Sequence, residues 1–167
     1  MNSVDEQEQA CLYLFCGLPC SGKTTFAISL AESKGAVFFS LDRLILKLFP
    51  EEDNFKTHRQ YVQRVKDVFF PIIHDLLCRG CSVVLDFPGH TRLERDRLRQ
   101  IAIQADATVH LYHLRANPET ITKRVQKRNA ELKSGEYFIP DWLLNIIIKK
   151  FEPPDYSEQP IEIELKW

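Results

Sequence analysis

No stretch of the chain approaches the ~18 uninterrupted apolar residues that a membrane span calls for; even the cluster Ile146-Ile147-Ile148 gives way to Lys149 and Lys150. The first residues carry Asp5, Glu6 and Glu8 where a secretory signal has bases, so export is not expected and the cytoplasm is the expected compartment. A surplus of either charge is lacking too. Lysine and arginine number 22 against 23 acidic residues, for a net charge of −1. No overall field therefore draws the chain to nucleic acid or to an anionic bilayer, and any such contact has to be local. Five cysteines, an odd count without export signals, point to reduced thiols rather than a disulfide framework. Internal repeats and low-complexity segments are also lacking. What is there is ordinary globular composition: 167 residues, 44% hydrophobic and 27% charged. That is one domain's worth of chain, residues 1–167, able to bury roughly 70% of its unfolded surface.

Apolar periodicity orders the chain. Cys11-Leu-Tyr-Leu-Phe-Cys16 is a short continuous apolar run ending at Gly17, the mark of a strand buried on both faces. A helix is predicted to open at Gly22-Lys23, to place Ala27, Leu30 and Ala31 on one face and to stop at Gly35. Strand signatures recur at residues 36–40, 82–86 and 108–114. A long helical stretch covers residues 55–79, with Pro71 expected to kink or split it because proline removes a backbone donor. Thr91 is the predicted N-cap of a helix reaching Ala105. Asn117-Pro118-Glu119 opens another, expected to end near Gly135, and Pro140-Asp141 opens a last one to Phe151. Residues 161–165 alternate like an edge strand. Strands alternating with helices imply parallel pairing through right-handed crossovers, hence an open α/β sheet that binds ligands at the carboxyl ends of its strands.

Gly17-Leu18-Pro19-Cys20-Ser21-Gly22-Lys23-Thr24 fits the Walker A pattern G-x-x-x-x-G-K-[ST], and it sits between an apolar strand and a helix, where the mechanism requires it. Backbone N–H groups from Cys20 to Thr24 are expected to point into the loop. With the partial positive charge of the helix N-terminus they would nest a β-phosphate. Lys23 is expected to reach the β- and γ-phosphates, Thr24 to bind Mg²⁺ and Thr25 to contact the α-phosphate. The run from Gly17 to Thr25 is thus the candidate site for a nucleoside triphosphate. No N-K-x-D guanine-reading motif is found, which disfavours guanine.

Two carboxylates stand just beyond strands. Asp42, in Ser40-Leu41-Asp42, is placed to orient an acceptor hydroxyl as general base, or else simply caps the short helix that follows. Asp86 ends Val83-Val-Leu-Asp86, a Walker B-like run whose carboxylate can hold Mg²⁺ through water or serve the acceptor site, or else is an ordinary strand-end aspartate. From Arg115 to Lys133 six bases stand against Glu119 and Glu131, and Arg124 and Arg128, at i and i+4, share a helix face. Such a face can close on phosphates as a lid, or remain a solvated surface. Arg92, Arg95 and Arg99 recur beside Glu94 and Asp96. Intrahelical ion pairing is the expectation for them, with a contact to an acceptor phosphate or nucleic acid as the alternative.

Minor signals remain. Cys20 at a helix start invites a lowered thiol pKa and redox sensitivity. Cys78-Arg-Gly-Cys81 has C-x-x-C spacing but no second pair, so buried apolar thiols are expected there rather than zinc. Among the histidines only His90, in the loop after Asp86, is a candidate acceptor contact.

The whole resembles the small P-loop kinases that include polynucleotide 5′-kinases, chloramphenicol phosphotransferase and the zeta-toxin kinases. Residues 17–25, Ser40-Leu-Asp42, Gly80-Cys-Ser-Val-Val-Leu-Asp86, residues 91–99, Lys123-Arg-Val-Gln-Lys-Arg128 and Phe151-Glu-Pro-Pro154 carry the resemblance. It implies a three-layer P-loop NTPase fold with a five-stranded, mostly parallel sheet of order 2-3-1-4-5 and a helical lid at residues 117–139. It also implies ATP and Mg²⁺ as cofactors, acceptor activation by Asp42, and contacts from Arg124 and Arg128 to ATP phosphates. That family usually has glycine at the position of Cys20 and often arginine at that of Ile45. The expected function is therefore transfer of the γ-phosphate to a hydroxyl of a small molecule or nucleic-acid end, by Asp42, Lys23, Arg124 and Arg128. A slow ATP-hydrolysing switch acting on a protein partner stands as the alternative.

Overall fold

A computed structural model describes residues 9–50, 55–132 and 136–164. Five strands, β1 (Cys11–Cys16), β2 (Val37–Ser40), β3 (Val83–Asp86), β4 (Thr108–Arg115) and β5 (Ile161–Glu164), form one sheet of order β2-β3-β1-β4-β5. Every pairing in it is parallel, as the strand-helix alternation and the family resemblance imply. Alternation along the two central strands explains the layers. Leu12 and Leu14 of β1 and Val83 and Leu85 of β3 face one core, and Tyr13, Phe15 and Val84 face another.

The first core is closed by α2 (Leu41–Leu48), α3 (Phe55–Cys78) and α4 (Arg92–Gln104), through Ile45, Val65, Ile73, Leu77, Leu98 and Ile101. The second is closed by α1 (Lys23–Lys34) through Ala27 and Ala31. A continuous apolar run is thus what a strand with helices on both sides requires, and each fully buried leucine contributes roughly 1.5–3 kcal/mol. A third, smaller core joins α5 (Pro118–Ala130) and α6 (Asp141–Lys150) through Ile121, Val125 and Leu144. Leu18 belongs to it, with Cys20 at its edge, so this helical pair packs directly on the loop after β1.

Helix ends follow the local chemistry. Thr91 caps α4 in a full capping box with Glu94, Asn117 caps α5 ahead of Pro118, and Gly35 ends α1 in the left-handed conformation. Two expectations need correction. α3 runs unbroken through Pro71; Pro71 and Asp67, the residue whose carbonyl it leaves unbonded, are both exposed, so water can take the partner's place. α5 ends at Ala130 instead of near Gly135. Asn129 in its last turn grips the returning chain, accepting from the Ile139 N–H at 3.1 Å and donating to the Ile139 carbonyl at 2.7 Å. Lys133, Gly135 and Leu165, which figure in the sequence reading, lie outside the described residues, as do the first eight. No described helix is long and apolar enough to cross a membrane.

Candidate active site

The loop after β1 leaves the strand through Gly17, whose φ of 141° and tight surroundings both demand glycine. A Cβ there would stand 2.6 Å from the Leu114 carbonyl oxygen of β4. The loop is pinned by Ser21 N–H donating to the Leu18 carbonyl at 3.2 Å, and Ser21 itself is buried. Gly22, at φ 94°, hands the chain to α1. Lys23 lies across the loop and donates to the Gly17 and Leu18 carbonyls, each at 2.7 Å. Burial pulls its ammonium down to about 8 against the nearby charges of Asp86 and Asp42, which favour the cation. An oxyanion in the loop would act in the same direction as those carboxylates.

At the carboxyl edge of the sheet one oxygen collects two hydroxyls. Asp86 Oδ2 accepts from Thr24 Oγ1 at 2.8 Å and from Ser40 Oγ at 3.2 Å. The parallel register of β2 and β3 sets Ser40 directly beside Asp86, and that is why the two meet. Ser40 was assigned no role from sequence. The signal that could have found it is that register, since both residues end adjacent strands. Among the described residues no three His, Cys, Asp or Glu side chains gather into a metal site. A hydroxyl beside a single carboxylate nevertheless suits Mg²⁺, which keeps several waters and takes further oxygens from substrate phosphates.

Ser40 occupies the N-cap position of α2 without a side-chain cap bond, its hydroxyl being turned to Asp86. Asp42 follows inside the first turn, so it is not the cap residue. Its carboxyl is pushed up, by enclosure in the cleft first and by the Asp86 charge second, while His58 of α3, Lys23 and Arg128 pull it down.

The α5 arginines approach from the other side. Arg124 Nη1 donates to the Cys20 carbonyl at 3.4 Å, and Arg128 Nη2 to the Tyr137 carbonyl at 2.9 Å. Arg128 Nε is buried with no hydrogen-bond partner. Cys20 adopts φ 57°, unusual for a residue with a Cβ, and packs in the α5–α6 core. Burial pushes its thiol up despite Arg128 and Lys23, the reverse of the activation expected at a helix start.

The remaining candidates separate from this cluster. His90 is drawn down to about 4 by burial and by Lys23, so it is neutral, and its carbonyl accepts from Glu152 N–H at 2.8 Å. Cys78 and Cys81 are free and exposed rather than buried, because they flank the surface turn at Gly80 that ends α3. The α4 arginines do more than pair within their helix. Arg92 and Arg99 do meet Asp96, at 3.5 and 2.9 Å. Arg95, however, makes a two-pronged bond to Glu158, Nε and Nη2 each at 2.7 Å, and Arg99 reaches the same carboxylate at 2.8 Å. Arg92 meets Asp155 at 2.9 Å.

The family described as an AAA domain matches residues 12–154. No curated protein matches the chain. Among solved structures, a candidate kinase from Chloroflexus aurantiacus superposes with a TM-score of 0.73 at 16% identity, over 93% of this chain and 85% of that one. A gluconokinase from Sinorhizobium meliloti gives 0.61 at 18% identity, over 93% and 81%. Kti12 of Chaetomium thermophilum, solved with ADP-AlF3, gives 0.66 at 17% identity, over 92% and 88%. At these identities the likeness shows the fold, a P-loop NTPase-like α/β sheet.

Proposed function

The chain belongs to the AAA domain family, and on that premise we propose that it is an ATP- and Mg²⁺-dependent phosphotransferase acting on a hydroxyl acceptor. The observation that carries the reading is the meeting at one sheet edge of Lys23, the Thr24–Asp86–Ser40 cluster and the helix bearing Asp42, under an α5 arginine with an unmet donor. A gluconokinase and an APS kinase solved with AMPPNP and APS are among the structural neighbours, in keeping with a kinase reading.

In this reading the loop from Gly17 to Thr25 cradles the triphosphate, and Thr24 with Asp86 would hold Mg²⁺, which when bound would supply positive charge to the phosphates. Ser40 keeps the Asp86 carboxylate oriented. Asp42 accepts the proton of the acceptor hydroxyl as its oxygen bonds to the γ-phosphorus, the bridge to the β-phosphate breaks, and ADP departs. A carboxylate pushed above its ordinary range is a better proton acceptor near neutral pH. Lys23, Arg124 and Arg128 offset the negative charge on the transferring group.

The test is incubation with γ-labelled ATP, Mg²⁺ and fractionated small-molecule and oligonucleotide acceptors, with Asp42→Asn in parallel. Label on one acceptor, falling by about 10²–10⁴-fold in the variant, is the expected outcome. Label released only as free phosphate, at equal rates in both proteins, would turn the assignment to a nucleotide-hydrolysing switch.

A further inference from the structure

Between α3 and α4 runs a cleft of about 310 Å³, lined by Gln63, Lys66 and Phe70 on one side and Glu94, Arg97 and Leu98 on the other. It backs onto the loop that follows Asp86. Phe70 lies against Phe87, ring centroids 6.3 Å apart, and Glu94 Oε2 accepts from the His90 and Thr91 N–H groups at 3.0 and 3.1 Å. The cleft therefore borders the loop that follows Asp86, and none of its lining residues belongs to the loop from Gly17 to Thr25.

Its charges are unbalanced in a telling way. Arg92, Arg95 and Arg99 on α4 each meet a carboxylate, but among the described residues neither Arg97 nor Lys66 makes a hydrogen bond or ion pair. Lys66 is half-buried, and burial draws its ammonium down, with Arg97 acting in the same sense and Glu94 opposing. Of the other polar groups facing it, Glu94 accepts two backbone donors through Oε2 alone, and Gln63 donates to Asp67 at 2.7 Å. With Glu94 as the one carboxylate lining the cleft against the two cations Lys66 and Arg97, the lining keeps a net positive charge that an added anion would offset. A guanidinium and an ammonium lining one cleft are donors of the kind that bind a tetrahedral oxyanion.

We propose that the α3–α4 cleft is an oxyanion site in which Lys66 and Arg97 bind a phosphate group carried by the acceptor, away from its reacting hydroxyl. The word acceptor rests on the phosphotransferase reading; the anion site does not. The first experiment therefore needs no turnover. With the nucleotide loop saturated by Mg·ADP, inorganic phosphate is titrated at constant ionic strength while backbone amide resonances are followed by NMR. Saturable shifts at residues 63–70 and 94–98 are expected in the native chain and in Lys66→Arg. They are expected to vanish in Lys66→Gln/Arg97→Gln, with Mg·ADP binding retained. Shifts that fail to saturate, or that survive in the double variant, overturn the site.

Where turnover is found, KM is compared for a phosphate-bearing polyol, a 5′-hydroxyl oligonucleotide and a phosphate-free polyol. A rise of about tenfold in Lys66→Gln, confined to either phosphate-bearing class and with kcat unchanged, supports the site and names the phosphate's source. An equal rise for the phosphate-free polyol overturns it. Absence of any phosphorylation would count against the phosphotransferase reading and leave the phosphate titration to decide the site.

Discussion

Arg95 and Arg99 on α4 and Arg124 and Arg128 on α5 share one spacing in the sequence, yet they sit in opposite circumstances. Arg95 is 1% exposed and satisfied on all sides: Nε and Nη2 grip Glu158, and Nη1 donates to the Gly89 and Glu152 carbonyls at 2.9 and 2.8 Å. Its packing is so close that a Cβ on Gly89 would stand 3.1 Å from its Cγ and 2.9 Å from the Phe15 carbonyl. Arg128 reaches one carbonyl and keeps a buried Nε without a partner, beside a loop shaped for phosphate. A guanidinium carries five N–H donors in a rigid fork that matches carboxylate or phosphate. Where a protein carboxylate fills the fork the arginine holds the fold; where the fork is left short, a ligand oxyanion can complete it. The α4 arginines thus tie the segment after α6 to the sheet, and Arg128 on α5 keeps a donor that the proposed function assigns to a phosphate.

That contrast predicts crossed outcomes. The largest effect is expected from Arg128→Ala, which should lower kcat by about 10³–10⁵-fold, the range of arginines that stabilise a transferring phosphoryl group. Its melting temperature should stay near that of the native chain. Arg95→Met is expected to do the reverse. Removing one partner of a buried ion pair typically costs about 3–5 kcal/mol of stability, measured by denaturant unfolding, while kcat per folded molecule is kept. Should Arg95→Met fail to fold, Glu158→Gln, which retains part of the hydrogen bonding, reads the same clamp more gently. A stability loss in Arg128→Ala as large as that in Arg95→Met would erase the distinction between the two helices.

How far the sequence reveals this difference depends on where each partner lies. The glycine-rich loop, the buried strands and the α5 start were legible because each is set by neighbours within a few residues: Gly22-Lys23-Thr24, the run through Leu12 and Leu14, Asn117-Pro118. Arg95 was not, because its partner Glu158 is 63 residues away and only the fold brings them together. Ser40 was hidden for the same reason, since its link to Asp86 depends on β2–β3 register. The position of Asp42 inside α2, rather than at its cap, needed the observed turn of helix. Helix α5 was read too long because its end is fixed by Asn129 reaching across to Ile139, which no periodicity records.

The smallest expected effect isolates the electrostatic part of the clamp. Burial alone would raise Glu158, but the hydrogen bonds from Arg95 and Arg99 outweigh it and hold the carboxyl at about 2, against an ordinary 4.5. A depressed folded-state value means that the stability Glu158 contributes is complete above the ordinary glutamate range and is lost as pH falls from there toward about 2. Arg99→Met removes one of the two guanidinium partners and leaves Arg95 in place. Its cost relative to the native chain should be about 1.5–3 kcal/mol near neutral pH, the worth of a hydrogen bond to a charged group. As Glu158 takes up a proton it ceases to favour either arginine. The gap between the two unfolding curves should therefore narrow steadily between pH 4.5 and 2. A gap of constant size across that window would assign the α4 arginines to packing of their aliphatic stems, and the contrast with α5 would then rest on burial and no longer on charge.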